Sequence, residues 1–268
     1  MTSTALDQLF QKTRAENRAA LIAYIPAGFP SKAGCERAIK ALAESGVDAI
    51  EIGFPYSDPV MDGPTIQEAA EISLKGGTSA ADVFSALKTA SSSGVAAVVM
   101  TYWNPIEKYG VDEFAQSIRE NGGSGVITPD LTIEESGRWL SATSKHEINP
   151  IYVVAPSTSD LRLGEVTSKT GGFVYAASVM GVTGARTNVS VDASELVQRV
   201  RTTTSLPVSV GLGVSTREQA KQVAAYADGV IVGSAFIKLL LNAASEDEGI
   251  AAISELAKEL ALGVREGR

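Results

Sequence analysis

The chain has 268 residues, 44% hydrophobic and 20% charged, with a formal net charge of −8. That length matches one (β/α)8 domain of about 250 residues and allows a core without metal or disulfide support. An acidic chain lacks the basic face that nucleic acid requires, although backbone N–H groups still hold a phosphate locally. With one cysteine, Cys35, an internal disulfide is excluded, as fits a cytoplasmic protein. No apolar run approaches the roughly 18 residues of a membrane span, and the polar N-terminal stretch lacks the apolar segment of a signal peptide.

In chain order, the first expected element is an amphipathic helix over 4–17. Eight strand-length apolar runs follow, at 21–27, 49–54, 96–102, 125–129, 151–155, 173–177, 208–211 and 230–233. Most are continuous rather than alternating, as in parallel strands buried on both faces. Helical spacing separates them at 32–45, 80–92, 112–121, 134–143 and 195–202, and a last helix spans 249–262. Thr132 with Glu135, Asp192 with Glu195, and Ser215 with Glu218 read as capping boxes that start helices just after strands. Eight βα units in this length predict a closed (β/α)8 barrel, one domain over 1–268, although a doubly wound open sheet has the same rhythm.

The richest segment is Glu51-Ile-Gly-Phe-Pro-Tyr-Ser-Asp58-Pro-Val-Met-Asp62-Gly-Pro-Thr65. Glu51 lies inside the second strand between Ile50 and Ile52. A carboxyl buried there must be paired or protonated, and a raised pKa suits acid/base work near neutrality. A Glu satisfied by a Lys, Tyr or backbone neighbour is the competing account. The loop that follows lies at the C-terminal face of a barrel, where active sites form. Asp58 reads as a turn-stabilising residue, and Asp62 as either a functional carboxylate or a cap for a helix beginning near Thr65.

Three glycine turns follow late strands: Gly181 to Gly184, Gly211 to Gly213, and Gly233-Ser234. Glycine lets backbone approach an anion, and Ser234 onward can open a short extra helix whose N–H groups point at it. Together they predict a phosphate site, which this fold commonly builds from its last loops. His146, the only histidine, reads as a surface residue, Cys35 as core, and Trp103 and Trp139 as packing residues. One His and one Cys leave no metal site of the usual His/Cys spacing.

The strand-two segment resembles the signature of the tryptophan synthase alpha subunit family, and the resemblance runs from Tyr24 to Lys238. It includes the stretch from Gly125 to Leu131, Gly181-Val-Thr-Gly-Ala-Arg186, Val210 to Ser215 and Gly229 to Ala235. It implies cleavage of indole-3-glycerol phosphate to indole and glyceraldehyde 3-phosphate. Glu51 takes the place of the catalytic acid/base, Asp62 that of the carboxylate holding the indole N–H, and Tyr175 that of a tyrosine near the acid. Tyr24, Tyr102, Ile127 and Leu212 fall where the family walls the indole, and Gly184, Gly213, Gly233 and Ser234 where it grips phosphate. Thr183 is expected to approach Asp62 as loops 56–64 and 182–190 close. The family needs no organic cofactor or metal for this reaction. Its partner is the tryptophan synthase beta subunit, a pyridoxal-phosphate enzyme, in an alpha2beta2 heterotetramer. Tyr24 and Tyr56 stand where the family more often has phenylalanine, and Met61 where it has alanine.

Overall fold

The computed structural model describes residues 3–177 and 189–268. Its parallel strands are β1 (Ala20–Pro26), β2 (Ala49–Gly53), β3 (Ala96–Met100), β4 (Gly125–Ile127), β5 (Asn149–Ile151), β6 (Val153–Val154), β7 (Val174–Ala177), β8 (Val208–Gly211) and β9 (Gly229–Val232). Their order in the sheet is β5-β4-β3-β2-β1-β9-β8-β7-β6. The end segments β5 and β6 are two halves of one strand interrupted at Tyr152. The first half pairs with β4 and the second with β7, so the sheet closes on itself. The result is the expected eight-strand (β/α)8 barrel, and the open-sheet alternative falls away.

Period-two alternation splits the strand side chains into two cores. Ala23, Ile25, Ile50, Ile52, Ala97, Val99, Val210 and Val232 face outward into the layer between strands and helices. Ala20, Ile22, Ala49, Ala96, Val98, Ile127, Ile151 and Ile231 face the lumen. Both faces are apolar because both are covered, which is why the runs look continuous in sequence.

The helices are α1 (Ala5–Ala15), α2 (Lys32–Glu44), α3 (Pro64–Lys75), α4 (Ala80–Ser92), α5 (Trp103–Tyr109), α6 (Val111–Glu120), α7 (Gly137–Lys145), α8 (Asp160–Thr167), α9 (Val189–Arg201), α10 (Arg217–Ala224), α11 (Ser234–Asn242) and α12 (Glu246–Glu266). The expected extra helices are both present. Helix α1 is held by a capping box of Thr4 and Asp7 and places Leu6 and Phe10 in the lumen cluster. It therefore plugs the N-terminal end of the barrel. Helix α11 follows β9 directly. Among the described residues, no helix is long and apolar enough to cross a membrane.

None of the three expected capping boxes forms as read. Residues 133–136 make turns, and α7 starts at Gly137 with Ser136 at its cap, while Glu134 is drawn to Arg162 of α8. Asp192 lies in the first turn of α9 rather than before it, still where a carboxylate favours the helix dipole. The cap of α10 shifts one residue to Thr216, which accepts from the Gln219 N–H at 3.2 Å. Gln219 Oε1 then accepts from the Ser215 N–H at 2.8 Å, doing what Glu218 was expected to do.

Candidate active site

The lumen residues of β2 are Ala49, Glu51 and Gly53, because Ile50 and Ile52 take the outer positions. Glu51 is therefore turned into the barrel, 1% exposed. It sits in register with Tyr24 on one side and Val98 on the other. Its Oε2 has no hydrogen-bond partner. Burial, reinforced by the nearby charge of Asp62, pushes its pKa up to about 8. Burial thus favours the protonated form of Glu51 near neutrality, and none of the Lys, Tyr or backbone partners of the competing account bonds its Oε2.

Asp62 lies in the loop after β2. It does not cap α3, whose N-cap is Gly63 and carries no side-chain bond. Instead its Oδ2 accepts from the Tyr102 hydroxyl at 3.2 Å. Burial raises its pKa to about 6, with the Tyr102 bond pulling the other way. The two carboxyls are thus separated in strength. Asp62 ionises first, facing a neutral Glu51, and Glu51 must then ionise against an existing charge. Asp58 is exposed and accepts from its neighbour Ser57 at 2.6 Å, in keeping with a turn role.

Tyr24 and Tyr175 complete the ring around these acids. Both are held protonated by burial first and by the fields of Asp62 and Glu51 second. Each large ring fits because its neighbour is a glycine. A Cβ on Gly53 would overlap the Tyr24 hydroxyl, and one on Gly233 would lie 3.2 Å from the Tyr24 Cβ. A Cβ on Gly211 would sit 2.7 Å from the Tyr175 hydroxyl. The sequence marked Gly211 as a turn glycine and Gly233 as a phosphate residue; the room that these two and Gly53 leave for tyrosine rings comes from their lumen-facing positions.

Other expected site residues are placed less uniformly. Ile127 is fully buried in the lumen cluster with Tyr175 packed on the same cluster. Tyr102 is buried at the end of β3 and caps α5. Leu212 is half-buried but packs against the outer core between strands and helices, so the structure does not join it to the lumen wall. Gly213 takes φ +68°, a conformation that favours glycine. Gly233 is the N-cap of α11 with no capping side chain. The first N–H groups of a helix have no intrahelical acceptor, so the end beginning at Ser234 offers donors and a positive dipole end to an anion. Thr183 and Gly184 lie outside the described residues, as does most of loop 182–190.

Cys35, Trp103 and Trp139 pack in or against the core, as expected. Cys35 is buried, its thiol pushed up to about 11 by desolvation. Trp139 is fully buried against Trp103, ring centroids 6.2 Å apart. His146 is less exposed than expected: it ends α7 with Nε2 3.1 Å from Asp112 Oδ1, three residues before β5 begins. Among the described residues no cluster of His, Cys, Asp and Glu could hold a metal ion.

The chain is similar in sequence and fold to known proteins. A family model described as tryptophan synthase alpha chain matches residues 10–265. The chain belongs to the tryptophan synthase alpha chain family. The alpha chain of Streptomyces avermitilis is 52% identical over 263 residues, covering 98% of this chain and 95% of that one. The alpha chain of Acidothermus cellulolyticus is also 52% identical, over 98% and 97%. A solved structure of Mycobacterium tuberculosis tryptophan synthase is similar at TM-score 0.92 and 49% identity, covering 98% of this chain and 99% of that one. Similarity persists at 30% identity in the alpha subunit from Legionella pneumophila, with TM-score 0.89 and coverage of 98% and 99%. The fold of a tryptophan synthase alpha chain thus survives where most side chains have changed.

Proposed function

We propose that this chain, as a tryptophan synthase alpha chain, cleaves indole-3-glycerol phosphate to indole and glyceraldehyde 3-phosphate with Glu51 and Asp62 as its working carboxyls. The observation that carries the reading is the pair itself: one buried carboxyl kept protonated near neutrality and a second, weaker in burial, free to ionise.

The reaction is a reverse aldol-type cleavage. Protonation at indole C3 makes that carbon a leaving group and puts positive charge on the ring nitrogen. Glu51 delivers this proton from the lumen and, once ionised, accepts the proton of the glycerol hydroxyl as the carbonyl forms. The bond from C3 to the glycerol chain then breaks, restoring the indole and releasing the aldehyde. Asp62, as a carboxylate accepting from the indole N–H, stabilises the cationic intermediate more than the ground state. Tyr175 crowds the acid and keeps it desolvated. Tyr24, Tyr102 and Ile127 wall the ring. Gly213, Gly233 and Ser234, together with Gly184, take the phosphate, anchoring the far end so that the scissile bond lies against Glu51.

Residues 1–268 act as one domain, as the continuous family match over 10–265 supports. The chemistry belongs to the cytoplasm, where a phosphorylated intermediate is retained. The partner is the tryptophan synthase beta subunit in an alpha2beta2 complex, which receives the indole. Val60 and Met61, exposed apolar residues on the loop after β2, suit the mouth of the barrel to such a contact. The test is indole release from indole-3-glycerol phosphate, with and without added beta subunit. Glu51→Gln should abolish turnover while substrate still binds; an active Gln variant would remove Glu51 from the chemistry. Asp62→Asn should lower kcat about 10²- to 10³-fold, the usual scale for one electrostatic contact of this kind, and a change confined to phosphate affinity would contradict its role.

A further inference from the structure

We propose that Tyr102 is a positioning residue for the cleavage, a fixed post whose hydroxyl holds the loop after β2 by two consecutive residues and leaves Asp62 with one oxygen aimed at the substrate. This rests on the role given to Asp62 above and adds a residue that acts through it. A pocket-wall residue contributes its ring; here the hydroxyl does the work.

The hydroxyl oxygen of Tyr102 accepts from the Met61 N–H at 2.9 Å. Its proton is directed to Asp62 Oδ2 at 3.2 Å. With a lone pair occupied by the amide, the hydroxyl is oriented as a donor toward the carboxylate. Asp62 Oδ2 is thereby used, and Oδ1 remains to accept from a ligand N–H. Burial and the field of Asp62 hold the phenol above its usual pKa, so it keeps this proton wherever Asp62 is ionised.

The post is firmly set. Tyr102 is 6% exposed at the end of β3, and its carbonyl accepts from Thr101 Oγ1 at 3.1 Å. The next residue, Trp103, donates its N–H to both oxygens of Asp130, at 2.9 and 3.1 Å. Tyr56, from the start of the same loop, lies on the Tyr102 ring with centroids 5.2 Å apart, and its hydroxyl accepts from Asn104 at 3.1 Å. The loop is thus pinned to the α5 end of β3 at Tyr56, Met61 and Asp62, although Val60 between them projects into solvent.

The groups that face Asp62 come from three further strands. Glu51 on β2, Tyr24 on β1 and Tyr175 on β7 all feel its charge. The first is protonated through the range in which Asp62 titrates, and the two phenols stay neutral. Removing the Tyr102 hydroxyl therefore takes away the hydrogen bond that holds the Asp62 pKa down, and the carboxylate becomes harder to form.

The experiment is kcat and KM for indole release across pH 5 to 9 in Tyr102→Phe, assayed as the complex with beta subunit, alongside binding of glycerol 3-phosphate. The ring is kept, so packing is kept. The expected result is a kcat lowered at least about tenfold, the scale of one hydrogen bond to a charged group, with the acid limb of the pH profile moved upward and glycerol 3-phosphate affinity unchanged. Replacing Tyr102 by 3-fluorotyrosine, a stronger donor of the same shape, should move that limb downward. Combining Tyr102→Phe with Asp62→Asn should be no worse than Asp62→Asn alone. An acid limb unmoved in both Tyr102 variants, or losses that multiply in the double variant, would overturn the assignment to Tyr102 while leaving Asp62 in place. A fully active Asp62→Asn enzyme would instead overturn the Asp62 reading, and the post with it.

Discussion

Replacing Glu51 by Gln should make the protein progressively more resistant to unfolding, relative to the parent, as pH rises. In the unfolded chain this carboxyl has its ordinary pKa of 4.5, and in the barrel about 8. Between those values the unfolded chain has lost the proton and the native protein keeps it. Stability then falls as pH rises, by about 1.4 kcal/mol per unit for one proton. Integrated from acid pH, the loss is about 1 kcal/mol at pH 5, about 3 at pH 7 and about 5 at pH 8.5, where the native carboxyl is ionising too. Gln is uncharged in both states and escapes this loss. Its amide brings a separate cost of about 1–3 kcal/mol if its N–H groups lack acceptors, but that cost is independent of pH. The slope, not the offset, carries the signature. At about 2.1 cal/mol/K of unfolding entropy per residue, the gain between pH 5 and pH 7 raises the Tm of Glu51→Gln relative to the parent by about 4 °C. Thermal unfolding of both proteins at pH 5, 7 and 8.5 measures it. A Tm difference that stays constant across this range would show that the carboxyl is not held protonated in the barrel, and its use as an acid near neutrality would fall.

The pH profile of kcat should be a bell, with an acid limb near 6 as Asp62 gains a proton and an alkaline limb near 8 as Glu51 loses one; the limbs belong to the pair as a unit. A profile flat from pH 5 to 9 would refute it. Gly53→Ala should displace the Tyr24 ring, costing about 1–3 kcal/mol of stability and lowering kcat, read by unfolding and by indole release. A kinetically silent Gly53→Ala would mean that the Tyr24 ring does not shape the site. Leu6→Ala, which hollows the plug at the foot of the barrel, should cost about 2–5 kcal/mol in urea unfolding, and a loss under 1 kcal/mol would show that α1 is loosely seated.

The strands were legible because both of their faces are apolar, so eight continuous runs stood out. Tyr152 was the exception: its outward-packed side chain belongs to a run that read as one strand, and only the pairings show the break. Helix starts were less legible. Thr216 and Gln219 capture α10 one residue later than Ser215 and Glu218 suggest, a choice made by geometry that residue type does not reveal. In the site, Glu51 was visible as a charge stranded in an apolar strand, but its company was not. Asp62 and Tyr102 are 40 residues apart in sequence, and nothing in either segment points to the other without the barrel. Leu212, one step beyond the lumen-facing Gly211, packs against the outer core, as alternation along a strand expects.

The plug that α1 drives into the lower shaft has a consequence for proton supply. Among the described residues, Leu6, Phe10, Ile22 and Phe173 pack together in the lower lumen. If Glu51 is the acid of the proposed cleavage, its proton is resupplied through the mouth that admits the ligand. The hydrogen placed on C3 would then be the one Glu51 held when the ligand arrived.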